Sequence, residues 1–174
     1  MLGRRPYYLV GYGADDHRIR KIQQSSTKPN RKPLVLAGKV VSSEYSPIAH
    51  SDGDVVYHAI ANALFLAIGE RDIGYHFPEN EDTYKNTSSI DFVERAMLLT
   101  KNAGYSVNNV TVMITALRPR IGPHVEEMRD NIAKILRIDK QSVGVGATTG
   151  EGLSDAGRGK GINAIANVSL TRRK

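Results

Sequence analysis

Apolar positions change their spacing along the chain, and the changes predict an order of elements. Tyr7 to Gly11 reads as a short strand followed by a glycine-rich turn, Gly11-Tyr12-Gly13. Leu34 to Ala37 and Lys39 to Val41 suggest a second strand or the arms of a hairpin. From Ser51 to Gly69 the pattern turns helical and is apolar over much of its surface (Val55, Val56, Ala59, Ile60, Ala63, Leu64, Leu66), so this helix is expected to be deeply packed. Ser51 suits its N-cap, Asp52 and Asp54 suit the dipole of its first turn, and Gly69 suits its end. A loop is expected from Glu70 to Thr87, then a helix from Ser88, with Asp91 placed for a capping box, to Gly104. Val110, Val112, Ile114 and Ala116 alternate as a half-buried strand over Asn109–Ala116. Pro123 opens a third helix through Leu136, with Val125, Met128, Ile132 and Ile135 on one stripe. Val143, Val145 and Ala147 mark another strand, and Ile162 to Leu170 alternates through the last one.

Strands mixed with helices, without repeat or linker, predict one α+β domain over residues 1–174: a two-layer sandwich of a mixed β-sheet with helices on one face. Residues 18–33 are expected as an exposed loop and 171–174 as a basic tail. Apolar residues also recur on the second sheet face, which calls for a partner and so for an oligomer.

Composition narrows the chemistry. The 174 residues include no cysteine, which removes disulfides, thiolate metal sites and a cysteine nucleophile; any metal must be held by His, Asp or Glu. No run of about 18 apolar residues exists to span a membrane. Arg4 and Arg5 give a basic start, but Tyr7 to Val10 is too short for a secretory core, so a cytoplasmic protein is expected; organelle import would need a longer precursor. Lys plus Arg is 24 against 18 for Asp plus Glu, a net charge of +6 that suits anionic partners. The cations concentrate in Arg18–Lys32 and Arg172–Lys174 without interleaved aromatics, a pattern better suited to a solvated edge than to a nucleic-acid footprint.

Three polar clusters could carry chemistry. Asp15 and His17 are two apart, so on an extended segment they share a face while Asp16 points away. With His58, one turn after Asp54, they offer one carboxylate and two imidazoles, a set suited to zinc with an open position; taken alone, His58 reads as a satisfied core histidine. His50-Ser51 precedes the first long helix, where free N–H groups and a hydroxyl suit a phosphate as well as a plain cap. Ala147-Thr148-Thr149-Gly150-Glu151 ends a strand; it suits a magnesium-bound diphosphate, or is an ordinary strand exit. Arg158, between Gly157 and Gly159, can reach an oxyanion.

In order, the chain carries Gly11-x-Gly13-x-Asp15-x-His17-Arg18, Ala49-His50-Ser51-Asp52-Gly53-Asp54 with His58, Asp72-Ile73-Gly74, Phe77-Pro78, Tyr84-Lys85, Pro119-Arg120, Pro123-His124, Ala147-Thr148-Thr149-x-Glu151 and Gly157-Arg158-Gly159-x-Gly161. From Leu9 to Leu170 this closely resembles the 2-C-methyl-D-erythritol 2,4-cyclodiphosphate synthase family of the non-mevalonate isoprenoid pathway.

The resemblance implies a homotrimer with active sites between subunits. It also implies a phosphorus–oxygen lyase: the 2-phosphate of 4-diphosphocytidyl-2-C-methyl-D-erythritol 2-phosphate attacks the β-phosphorus, closing the cyclic diphosphate and expelling CMP. By the same resemblance Asp15, His17 and His58 hold one zinc per subunit, and Glu151 holds magnesium or manganese with the substrate diphosphate. His50, Thr149 and Glu151 form the catalytic set. Ser51, Asp72, Gly74, Phe77, Glu79 and Arg158 meet the substrate, and Ala116, Pro119, Arg120, Ile121, Gly122, Ala147 and Thr148 surround the cytosine. Departures from the family pattern are Asp16 between the zinc ligands, Glu79 and Glu81 at usual aspartates, Gly152 at a common lysine, and Asp155 where an aromatic residue often faces the trimer axis. In the family that axis encloses a cavity able to hold an isoprenoid diphosphate, a ligand that Asp155 disfavours.

Overall fold

The computed structural model describes residues 6–22, 32–49, 51–78 and 87–173. Strands β1 (Tyr8–Lys21), β4 (Tyr45–Ile48), β5 (Tyr105–Thr115), β6 (Val143–Thr148) and β7 (Gly161–Arg172) form one sheet in the order β4-β1-β7-β5-β6. The β5–β6 pair is parallel and the others are antiparallel, so the sheet is mixed as expected. β2 (Leu34–Leu36) and β3 (Lys39–Ser42) form a separate hairpin. The helices are α1 (Val55–Ala67), the single-turn α2 (Ile73–His76), α3 (Ser89–Asn102) and α4 (Val125–Leu136). α1 lies on β1 and β7, α3 packs on α1, and α4 packs on β6. No helix among the described residues is long and apolar enough to cross a membrane.

β1 differs most from expectation. Gly11-Tyr12-Gly13 is no turn but the middle of a 14-residue strand, and Arg18–Lys21, expected in a loop, continue it by pairing with β4. β4 was not anticipated; it is four residues long and contains Pro47, which an edge strand tolerates. The glycines serve close approach. A Cβ on Gly11 would sit 1.9 Å from the Ala63 carbonyl oxygen, and one on Gly13 would sit 2.2 Å from that of Ala59. The backbone of α1 therefore rests directly on the backbone of β1, and 11 of the 13 residues of α1 are buried.

α1 starts at Val55, capped by Asp54 and not by Ser51. Asp54 is 1% exposed, and its carboxylate accepts N–H groups from Ala37 (2.9 Å), Gly38 (2.7 Å), Val56 (3.1 Å) and Tyr57 (3.2 Å). One side chain thus caps the helix and clamps the β2–β3 turn, where Ala37 and Gly38 both have positive φ. α3 opens with the expected capping box between Ser88 and Asp91. A 3₁₀ turn at Gly122–His124 takes Pro123 and delays α4 by two residues. β5 begins at Tyr105, earlier than expected, because an irregularity in its pairing with β7 between Val107 and Asn109 shifts the inward phase from odd to even positions. Thr171 and Arg172, expected in the tail, belong to β7.

Replacing Gly13 by Ala should lower unfolding stability by about 3 kcal/mol or more, because the new methyl meets backbone and no flexible side chain can yield; urea denaturation measures this. Burial pushes the Asp54 carboxyl up to about 6 from an ordinary 3.8, against the lowering pull of its backbone donors. The folded chain then holds this proton more tightly than the unfolded chain does. Its contribution to stability is fully present below about pH 4 and falls as pH rises through 6, by roughly 3 kcal/mol in all. The stability difference between wild type and Asp54→Asn, measured in chelator, should shrink across that window.

Candidate metal and phosphate site

The packing of α1 on β1 decides where the polar residues meet. Burial alternates along β1 so that Asp15 and His17 face the helix side while Asp16 is exposed, as the two-residue spacing predicts. His58 lies in the first turn of α1, 7% exposed. Its Nδ1 is 3.0 Å from Asp15 Oδ2, and His17 Nε2 lies 3.4 Å from the same oxygen. One donor atom from each residue lies within 4.8 Å of the other two. Adjacent ligands of a tetrahedral zinc with bonds of about 2.0 Å stand about 3.3 Å apart, so the set is close to ligating geometry before any ion enters.

The hydrogen bonding supports the same assignment. His17 Nε2 is buried, and its approach to Asp15 lacks hydrogen-bond geometry, which leaves a lone pair or proton without a partner. Burial lowers the His17 pKa, opposed by Asp15 and assisted by His58, so the ring is held neutral, the form that binds a metal. One buried and one half-buried imidazole and a carboxylate, converging with incomplete hydrogen bonding, fit a divalent cation better than they fit one another.

Around this centre, Ser51 does not cap α1; its hydroxyl accepts Gly53 N–H at 3.1 Å and lies 3.3 Å from His58 Nε2. Asp72 caps α2 by accepting Tyr75 N–H at 3.1 Å, and Gly74 is exposed on that helix. Phe77 packs on Phe92, ring centroids 4.6 Å apart. Residues 116–122 and 147–148, both expected around cytosine, are brought side by side. β5 and β6 pair in parallel, and Ala116 N–H donates to the Thr148 carbonyl at 3.0 Å. Ala116 and Ile121 are buried, Pro119 is half-buried, and Arg120, Gly122, Ala147, Thr148 and Thr149 are exposed. Glu151 is exposed on the turn after β6 with φ 48°, outside the Asp15–His17–His58 group. Arg158 donates to the Gly152 carbonyl (3.1 Å) and to Asp155 (2.8 Å), so Asp155 neutralises it. His50, Glu79, Glu81, Tyr84 and Lys85 lie outside the described residues.

Two participants escaped the sequence reading. Asp52, expected to serve the helix dipole, instead accepts hydrogen bonds from the start of α3, and Ser89 places its Oγ 2.8 Å from His58 Nε2. Ser89 and His58 are 31 residues apart, and no local spacing announces the contact.

Zinc titration of metal-free protein should saturate at one ion per chain. His58→Ala and His17→Ala should each weaken binding at least 100-fold, measured by competition with a chromophoric chelator.

Residues 8–171 match the YgbB family. The 2-C-methyl-D-erythritol 2,4-cyclodiphosphate synthase of Geotalea uraniireducens is 42% identical over 164 residues, covering 94% of this chain and 99% of the relative. The synthase of Desulforamulus reducens is 42% identical over 161 residues, covering 92% and 97%. Among solved structures, IspF of Plasmodium falciparum in complex with CDP superposes with a TM-score of 0.81 at 31% identity, covering 96% of this chain and 97% of that one. The bifunctional IspDF of Campylobacter jejuni superposes with a TM-score of 0.85 at 30% identity, covering 95% of this chain and 42% of that one. A family match over nearly the whole length, joined to a His/Asp cluster built by the fold, shows that this chain belongs to the YgbB family, the 2-C-methyl-D-erythritol 2,4-cyclodiphosphate synthases.

Proposed function

We propose that this chain converts 4-diphosphocytidyl-2-C-methyl-D-erythritol 2-phosphate to 2-C-methyl-D-erythritol 2,4-cyclodiphosphate and CMP, as a phosphorus–oxygen lyase of the non-mevalonate pathway. The observation that carries this reading is the convergence of Asp15, His17 and His58 beside the α1 N-terminus. Attacker and target are phosphates of one molecule: an oxygen of the 2-phosphate forms a bond to the β-phosphorus while the bond to the oxygen bridging to the α-phosphorus breaks, and CMP leaves with that oxygen. No protein nucleophile is required; charge repulsion and loose geometry are the obstacles. Bound zinc and magnesium supply charge neutralisation and orientation of the phosphoryl oxygens.

The chain's own groups do the positioning. Asp15, His17 and His58 would hold zinc, and the exposed Glu151 carboxylate would hold magnesium or manganese at the diphosphate. The hydroxyls of Ser51 and Thr149, with His50, would orient phosphates, while Asp72 would accept hydrogen bonds from the methylerythritol hydroxyls beside Gly74, Phe77 and Glu79. The joined segments 116–122 and 147–148 would receive cytosine through backbone groups; the P. falciparum relative is a complex with CDP, a cytidine nucleotide. Arg158 would act on substrate through the turn it holds at Gly152.

We read the chain as a homotrimer with its site shared between subunits, and two further features support association between copies. Tyr8, Val10, Tyr12 and Met113 are 62%, 74%, 55% and 49% exposed, and they project from the sheet side opposite α1. β7 and β5 also separate the metal-bearing β1 from the nucleotide-bearing β6, roughly 14 Å across the sheet. Stacking subunits on the open face would cover the apolar side chains and bring the two halves of a site together from neighbouring chains.

Incubation with the substrate and magnesium, followed by phosphorus NMR, should show CMP and the cyclic diphosphate appearing together, with turnover abolished by chelator and by His58→Ala. A linear methylerythritol product would make the enzyme a phosphohydrolase, and turnover unaffected by chelator would refute the metal site.

A further inference from the structure

We infer that Ser89 and Asp52 form a hydrogen-bond relay that fixes the tautomer of His58 and keeps its Nδ1 ready for a metal. Ser89 is the first residue of α3 and is wholly buried. Its Oγ lies 2.8 Å from His58 Nε2 and is hydrogen-bonded to Asp52 Oδ1. Asp52 also accepts Ser89 N–H (3.0 Å), the Ser88 hydroxyl (3.4 Å) and Asp54 N–H (3.2 Å). With three other donors pointed at it, Asp52 is held as a carboxylate and can only accept from Ser89.

A serine hydroxyl carries one proton, so the direction of the chain is decided by elimination. If that proton went to His58, the Ser89 oxygen and the Asp52 carboxylate would face each other with lone pairs alone. It goes to Asp52, and Ser89 accepts Nε2–H from His58. Ser51 Oγ, 3.3 Å from the same nitrogen, offers a second acceptor. The neutral ring therefore carries its proton on Nε2, and Nδ1 presents a bare lone pair to Asp15 Oδ2 at 3.0 Å. Two lone pairs at that distance repel until a cation sits between them. The relay thus denies Asp15 the Nδ1–H bond that a free imidazole would offer and holds the pair in its ligating form. It also ties the start of α3 to occupancy of the metal site.

Ser89 and Asp52 are positioning residues, and their assignment rests on reading Asp15, His17 and His58 as the metal site. The tests are zinc affinity by chelator competition and the tautomer of His58 by long-range proton–nitrogen NMR on histidine-labelled, metal-free protein at a pH where the ring is neutral. Wild type should show the Nε2–H form. Ser89→Ala should bind zinc 10- to 100-fold more weakly and move His58 toward the Nδ1–H form bonded to Asp15, with urea stability in chelator reporting its fold. An Nδ1–H ring in wild type overturns the relay even if the variant does not fold, as does unchanged zinc affinity in a folded Ser89→Ala. Zinc uptake by neither protein would refute the metal reading itself, leaving the wild-type tautomer to decide the relay.

Discussion

Direct contact between the backbones of α1 and β1 sets the geometry on which everything else depends. It exists because Gly11 and Gly13 leave no side chain under the carbonyls of Ala63 and Ala59. Helix and strand that pack through side chains stand about 10 Å apart, a separation that would hold the first turn of α1 away from β1. With the side chains removed at those two positions, the helix drops onto the strand. His58 then meets Asp15 and His17 two and four residues beyond the second glycine. The glycines look like a loop signature, yet their contribution is to the metal site.

The short acidic segment ahead of α1 separates structure from tuning. Asp54 is buried and joined to four backbone N–H groups, holding the hairpin turn of β2 and β3 against the helix start. Asp52, two residues earlier, turns the other way and gathers the start of α3. Gly53, with φ 77°, lets the chain reverse between them. Two identical carboxylates thus act on different partners because a left-handed residue lies between them.

The proposed chemistry matches so spare a set of groups. An intramolecular phosphoryl transfer needs its ends held and its charge balanced, and the proposed reaction asks the chain for ligands, hydroxyls and backbone donors but for no nucleophile. The sheet order places β1, which carries Asp15 and His17, three strands from β6, and the sheet face opposite α1 leaves Tyr8, Val10, Tyr12 and Met113 exposed, as the proposed sharing of a site between subunits requires.

Much was legible in the order of residues alone: the α+β class, three of the four helices, the capping box at Ser88, and the candidate ligands Asp15, His17 and His58. These rest on periodicity, local capping and a distinctive motif series, all carried by neighbours in the chain. What stayed hidden depended on contacts between distant segments. Gly11-Tyr12-Gly13 could be a turn until α1 lay upon it. β4 is too short to show a period before β1 pairs with it. The pairing irregularity near Asn109 breaks the alternation that would have marked the start of β5. Asp54 as the cap and Ser89 as the partner of His58 emerge only when α1, α3 and the β2–β3 turn converge. Sequence spacing determines which way a side chain faces along its own element; which group it meets across the core is decided by packing.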